Sequence, residues 1–409
     1  MSITEPIHAA LSKPVDNGEL AGAAALISRG DSTEVVCAGV RDLKSRLPIE
    51  RDTIFRIASM TKPVTSALAL TLFDEGRFRL EDPITRFAPE FERMRVLGSP
   101  EGPLEDSRAA DRPITFEDLL THRAGFTYSD FHRGPIGNAY AEALGKDIDN
   151  ELTPDEWIGR LARLPLIDQP GNGFHYGHST DLLGFLIERI EDAPLGDVLE
   201  CRICAPLGMK DTGFSVPKGK RNRRAGPCGF DADARPIALE TVPGGHALPE
   251  RPPEMTFVSG GQGLWSTLDD YLAFARIFAG GGKSGGVQLL QPHTLSMMAS
   301  NQLTAGQRAS AKMFGRPLFA TGHAYGLGVA VVTEPEKADP MRCGGGAGAV
   351  GWPGAYGGWW QADPNDGSVM IFLAHNMVEL SQMAAGIGLS VWGAITEFQA
   401  LGTAALRQM

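Results

Sequence analysis

The apolar positions change their period along the chain. Two short runs, 21–28 and 33–40, are rich in Ala, Val, Leu and Ile, and Ser28-Arg29-Gly30-Asp31 separates them. This pattern predicts a β-hairpin. Beyond it, Val64, Ala67, Leu68 and Leu72 recur at helical spacing. Pro63 precedes them, and proline is tolerated only in the first turn of a helix. The helix is therefore predicted to begin close to Ser59 and to end near Gly76, a natural C-cap. Residues 84–235 read as helices joined by long loops. Among these helices, 114–120 has Thr115 and Asp118 at capping-box positions, and 181–190 is apolar at helical spacing. Segment 240–262 is rich in Pro and Gly, and Thr267 caps a helix predicted to run to Phe278. After residue 320 the pattern becomes strand-like, over 325–332, 356–362 and 368–374, and a last helix is predicted over 380–400.

Strands at both ends with helices between them predict an α/β (α+β) architecture. An antiparallel sheet is built from both termini and flanked by helices, and a mainly helical domain is inserted. At 409 residues the chain exceeds what one core usually supports. The expected division is 1–80 with 236–409 for the sheet domain and 81–235 for the helical one. The Ser59 helix would lie at their junction, where clefts form.

That helix carries the chemistry. Ser59 and Lys62 form a Ser-x-x-Lys pair, and residues three apart share a helix face. A hydroxyl is a weak nucleophile until a neighbouring base takes its proton. A lysine can be that base when burial or another cation lowers its pKa. The N–H groups at a helix start lack intrahelical partners and point at anions, so the Ser59 N–H is a candidate half of an oxyanion hole. The motif alone is weak, because Ser215-Val216-Pro217-Lys218 matches it too. That copy lies in a Pro/Gly/Lys loop with no helix predicted after it. Two further stretches stand out: Phe174-His175-Tyr176-Gly177-His178-Ser179, after a Pro-Gly turn, and Gly351-Trp352-Pro353-Gly354-Ala355-Tyr356-Gly357-Gly358. The bland alternatives are a half-buried aromatic anchor for Tyr176 and a hairpin corner for the glycine run. Because Pro353 cannot donate to a ladder, that run is expected to be a strand edge open to substrate.

Composition narrows the partners. A net charge of -11 argues against nucleic acid and anionic membrane surfaces. The start, Met1-Ser2-Ile3-Thr4-Glu5-Pro6, does not read as a secretory signal, and no stretch approaches a membrane span. The five cysteines are scattered, and Cys201-Arg202-Ile203-Cys204 has no second pair at zinc spacing. A cytoplasmic protein is expected, with neither metal nor cofactor. Gly282-Lys283-Ser284-Gly285-Gly286 matches a nucleophile elbow, but that motif needs a strand before it and a helix after it; here a helix is predicted before it, within a glycine loop.

Taken in order, Ser59/Lys62, Tyr176 and Trp352/Gly354 resemble the serine-reactive penicillin-recognising family. The nearest branch is the class C β-lactamase-like esterases, called family VIII carboxylesterases. Residues 119–125 (Leu-Leu-Thr-His-Arg-Ala-Gly), 206–214 and 260–267 look like further family signatures, so the resemblance spans about residues 15–395. It implies a β-lactamase/transpeptidase-like fold and a Ser59 acyl-enzyme. It also implies that Tyr176 shares proton transfer with Lys62, that Ser59 and Ala355 N–H groups form the oxyanion hole, and that Trp352, Gly354 and His178 bind substrate. Two departures matter. His178 stands where β-lactamases of this class carry Asn, and Trp352-Pro353-Gly354 replaces Lys-Thr-Gly, removing the Lys that meets a substrate carboxylate. The expected activity is therefore a serine carboxylesterase acting on short-chain, uncharged acyl esters of small molecules, with no nucleic acid or membrane partner. A β-lactamase, a D-aminopeptidase or amidase, and an acyltransferase are rivals on the same residues. A non-catalytic binding or scaffold protein of this fold is the rival from another class.

Overall fold

The computed structural model describes residues 3–132, 134–145, 148–239, 251–252, 254–313, 316–319, 321–379, 382–383 and 385–409. A seven-stranded sheet runs in the order 323–325, 330–332, 350–351, 359–363, 368–374, 22–29, 32–39. Every neighbouring pair is antiparallel. The fold is β-lactamase/transpeptidase-like, with both chain ends meeting in one sheet. The N-terminal hairpin closes as predicted, Gly22–Arg29 on Ser32–Gly39, with Ala25 opposite Val36. The central strands are apolar on both faces because both faces are covered. Ala24, Leu26, Ile371 and Leu373 enter the main core, which continues through Leu68 and Leu70 into Trp157, Leu182 and Leu186. Ala23, Ala25, Met370 and Phe372 face the terminal helices, Glu5–Asp16 and Leu389–Leu406, through Leu11, Ile395 and Phe398.

Three expectations need correction. The run 325–332 is a tight hairpin, His323–Tyr325 on Ala330–Val332, not one strand. Gly328 turns it at φ +94, and a Cβ on Gly326 would lie 2.0 Å from the Met298 carbonyl oxygen. The last helix spans Leu389–Leu406 rather than 380–400. The sheet strand ends at Gly351, between 330–332 and 359–363, so Pro353 lies outside the sheet and forms no edge. The Pro/Gly stretch 240–250 lies outside the described residues.

The Ser59 segment is threaded through the main core. A 3-10 turn, Ala58–Met60, runs into the helix Thr61–Asp74, of which residues 61–72 are all buried. A helix buried on every side needs partners for its polar groups. Segment 260–264 supplies them. Thr65 Oγ1 donates to the Gly260 carbonyl (2.7 Å), and Thr61 Oγ1 accepts the Leu264 N–H (3.1 Å). Tyr271 OH donates to the Met60 carbonyl (3.0 Å). The capping boxes expected at Thr115/Asp118 and the cap at Thr267 form, and the helix over 181–190 is Ser179–Glu191.

Candidate active site

Four segments converge on Ser59. The first is its own turn. Ala58 is held at φ +44, a left-handed conformation costly for a residue with a Cβ. Such strain persists where the surroundings over-determine it. Ala58 packs with Ile148, Ala355 and Tyr356. Beside it, Arg56 and Arg251 both bond the Asp149 carboxylate, at 3.2 and 2.6 Å, which ties the segment carrying Ile148 to the strand leading into Ser59.

Lys62 is fully buried, and its Nζ donates to Ser59 Oγ (3.3 Å), Tyr128 OH (3.1 Å) and the Gly261 carbonyl (3.0 Å). Three acceptors match the three N–H bonds of an ammonium. Nζ also lies 4.5 Å from the Tyr176 ring centroid. The Tyr176 hydroxyl accepts the Trp352 indole N–H at 3.1 Å. Tyr176 is backed by His122, whose ring centroid is 4.9 Å away. His122 sits at φ +54, and its carbonyl accepts the His175 N–H (2.7 Å), so it shapes the loop that presents Tyr176. Burial, and then the charge of Lys62, hold its imidazole well below the ordinary histidine range.

Trp352 is buried, and the loop after it closes on the Ser59 turn. A Cβ on Gly354 would stand 2.4 Å from the Ile57 carbonyl oxygen, so only glycine permits this approach. Among the described residues, neither the Ser59 nor the Ala355 N–H has a hydrogen-bond partner. His178 is tied into the same cluster. Its Nδ1 meets Asp181 Oδ2 at 3.0 Å, and its ring packs against Tyr128 (centroids 4.5 Å) and Trp157 (5.4 Å).

Tyr128 and Asp181 were not among the predicted site residues. Burial, and then the charge of Asp181, push the Tyr128 phenol well above its ordinary range. The buried Asp181 carboxylate accepts Ser259 Oγ (2.5 Å) and the Gly261 N–H (2.9 Å). Burial alone would raise its pKa; the His178 bond and the charges of His178 and Lys62 outweigh that and lower it. An acidic residue just before the apolar run 182–187 is the available sign of Asp181. Tyr128, three residues past Gly125, carried none.

The decoys stay apart from this chemistry. Ser284 lies in a small hairpin, Lys283–Ser284 on Val287–Gln288, turned by Gly285 and Gly286. A 3-10 helix, Lys218–Arg223, does follow Ser215, contrary to expectation. Cys201 is exposed and Cys204 buried, both as free thiols. Among the described residues no cluster of His, Cys, Asp and Glu is arranged to hold a metal, and no helix is long and apolar enough to cross a membrane.

The family model described as Beta-lactamase matches residues 7–388. This chain belongs to that family. It is a β-lactamase-like serine hydrolase. Protein Rv1367c of Mycobacterium tuberculosis is 41% identical over 380 residues, covering 92% of this chain and 91% of that protein. Esterase EstB of Burkholderia gladioli is 30% identical over 392 residues, 92% of each chain. Among solved structures, EstCE1, described as a hydrolase with promiscuous acyltransferase activity, superposes with a TM-score of 0.77 at 23% identity, covering 96% of this chain and 98% of that one.

Proposed function

We propose that this protein is a serine carboxylesterase of the family VIII type, acting on short-chain acyl esters of small molecules. The observation that carries the reading is the Lys62 amine, buried between Ser59 Oγ, the Tyr128 phenol and the face of Tyr176. A serine and two phenols around one buried lysine are a means of moving a proton, not of packing a core.

In the proposed reaction Ser59 Oγ attacks the ester carbonyl, and its proton passes into the Lys62–Tyr176 pair, which takes it in the state one proton short of ammonium plus phenol. The charge that develops on the carbonyl oxygen meets the Ser59 and Ala355 N–H groups. Tyr176 returns the proton to the leaving alcohol. A water then attacks the acyl-enzyme, giving its proton back through the same pair and releasing the acid. The reading assigns the proton to the pair and names neither residue as the sole base. Trp352 holds the Tyr176 hydroxyl in place, and Asp181 fixes Gly261, whose carbonyl holds Lys62. Replacement of the deacylating water by an alcohol is acyl transfer. That second reading is favoured by the description of EstCE1 and needs no further residue.

The test labels the protein with a fluorophosphonate and identifies the modified peptide by mass spectrometry, beside rates on p-nitrophenyl butyrate. Ser59 should carry the label. Ser59→Ala should abolish turnover, and Ser284→Ala should leave it near wild type. A label on Ser284, or an active Ser59→Ala protein, sinks the reading.

A further inference from the structure

Two acceptors besides Ser59 aim Lys62, the Gly261 carbonyl and the Tyr128 hydroxyl. One imidazole stands behind both. His178 precedes the helix Ser179–Glu191, and its Nδ1 meets Asp181 Oδ2 at 3.0 Å. The other oxygen of that carboxylate, Oδ1, accepts the Gly261 N–H (2.9 Å) and Ser259 Oγ (2.5 Å). The His178 ring also packs at 79° to the Tyr128 ring, with centroids 4.5 Å apart. Tyr140 stacks on the imidazole at 6.0 Å and Trp157 lies across it at 5.4 Å, so the ring is held in this orientation. Gly177 brings the two segments together. A Cβ there would stand 2.4 Å from the Thr127 Cα, which keeps His178 against the chain that carries Tyr128.

The arrangement carries charge as well as shape. Asp181 is buried, and the charges of His178 and Lys62 both act on it. His178 faces it from its own helix and Lys62 from the helix Thr61–Asp74, while its charge reaches Tyr128 and His122. Segment 259–261 offers it only neutral donors. Around the imidazole the titratable groups are Asp181 and the phenols of Tyr128 and Tyr140. Opposite an ionised carboxylate, Nδ1 carries a proton. A buried carboxylate without that donor favours the protonated amine nearby. The reaction needs the Lys62–Tyr176 pair one proton short, so an uncompensated Asp181 works against it.

We propose that His178 is a positioning residue for acylation: by holding Asp181 and Tyr128 it keeps the Lys62 amine on Ser59 Oγ and offsets the buried carboxylate, without touching substrate. This rests on the esterase reading above. The histidine expected from the sequence to bind substrate acts instead from behind the lysine.

The experiment follows kcat and KM on p-nitrophenyl butyrate across about pH 5–9, where essential acids and bases show as limbs of the profile. It uses wild type, His178→Leu, His178→Asn and Asp181→Asn. His178→Leu removes the donor, and His178→Asn keeps an N–H near the place of Nδ1 but drops the ring. In His178→Leu kcat should fall by about tenfold or more with KM within about threefold. His178→Asn should recover part of this loss. The acidic limb of kcat/KM should move up by about half to one pH unit in both His178 variants, and down in Asp181→Asn. A raised KM with kcat kept would place His178 against substrate. Losses with an unmoved limb and no recovery in His178→Asn would make it packing alone, and unchanged rates would make it idle. Each of these results overturns the proposal. Thermal unfolding shows which variants are folded; if His178→Leu is not, the opposite limb shifts of His178→Asn and Asp181→Asn decide. A wild type that neither cleaves the ester nor takes a fluorophosphonate on Ser59 overturns the esterase reading, whereas an active wild type with indifferent His178 variants overturns this inference alone.

Discussion

Two phenols flank Lys62, and removing each hydroxyl in turn separates what they do. Tyr176→Phe keeps the ring under the ammonium and deletes the acceptor of the Trp352 N–H. The stranded indole donor is buried, so the variant should lose about 1–3 kcal/mol of stability. If Tyr176 carries the proton to the leaving alcohol, kcat should fall by about a hundredfold to ten-thousandfold, or about 3–5 kcal/mol of barrier at 1.36 kcal/mol per tenfold. Tyr128→Phe removes one of the three acceptors of Lys62. A hydrogen bond to a charged group is worth about 1.5–3 kcal/mol, which bounds its kinetic effect at about ten- to a hundredfold. Tyr128→Phe should thus be the milder variant. Lys62→Ala should match the severity of Tyr176→Phe, and the Lys62→Ala/Tyr176→Phe double variant should be little worse than the poorer single one, as for residues acting as a unit. The assay is kcat and KM on p-nitrophenyl butyrate, with thermal unfolding to show that each variant is folded at the assay temperature. An inactive Tyr128→Phe beside a near-normal Tyr176→Phe would exchange the two roles. Multiplying losses in the folded double variant would make Lys62 and Tyr176 independent.

Other outcomes follow from the same geometry. Gly354→Ala places a methyl 2.4 Å from the Ile57 carbonyl oxygen, so the loop must shift; kcat should fall at least about tenfold, the cost of weakening one oxyanion donor, and an unchanged kcat would remove the Ala355 N–H from the reaction. His375 is buried with both ring nitrogens unpartnered among the described residues, and burial lowers its pKa from 6.5 to about 4. The unfolded chain takes this proton first, so the contribution is whole above pH 6.5 and is lost as pH falls towards 4. By pH 5 about 2 kcal/mol should be gone, and denaturant unfolding at pH 7.5 and 5 should show a smaller difference in His375→Gln. Nitrocefin should give a kcat/KM well below that of p-nitrophenyl butyrate, because its leaving nitrogen stays tethered over the acyl-enzyme; an equal or higher value would restore the β-lactamase assignment.

The elements that could be read from the chain were those whose ends are written locally. The hairpin at 22–39 has its turn between two apolar runs, and the helix after Thr115 has its capping box within four residues. The misread elements depend on distant atoms. Nothing local shows that 325–332 must fold back at Gly328, because the Met298 carbonyl that leaves no room beside Gly326 lies far away in sequence. Pro353 suggested an edge, yet the sheet had already ended at Gly351.

The same distinction runs through the site. Ser59, Lys62, Tyr176 and Trp352 stood out because each sits in a short stretch of unusual residue types. Tyr128 and Asp181 acquire meaning only through contacts across 66 and 80 positions, to Lys62 and Gly261. What those contacts add is control of the lysine. A Lys three residues from a Ser has long freedom of rotation, and the motif alone does not say where its amine points. Gly261 and Tyr128 take two of its three donors and leave the third on Ser59 Oγ. The Gly261 carbonyl can do this because Asp181 and Ser259 fix the backbone behind it. The buried carboxylate is thus part of how a common tetrapeptide becomes an oriented proton carrier, and among the described residues Ser215, with the same spacing to Lys218, has no such frame around it.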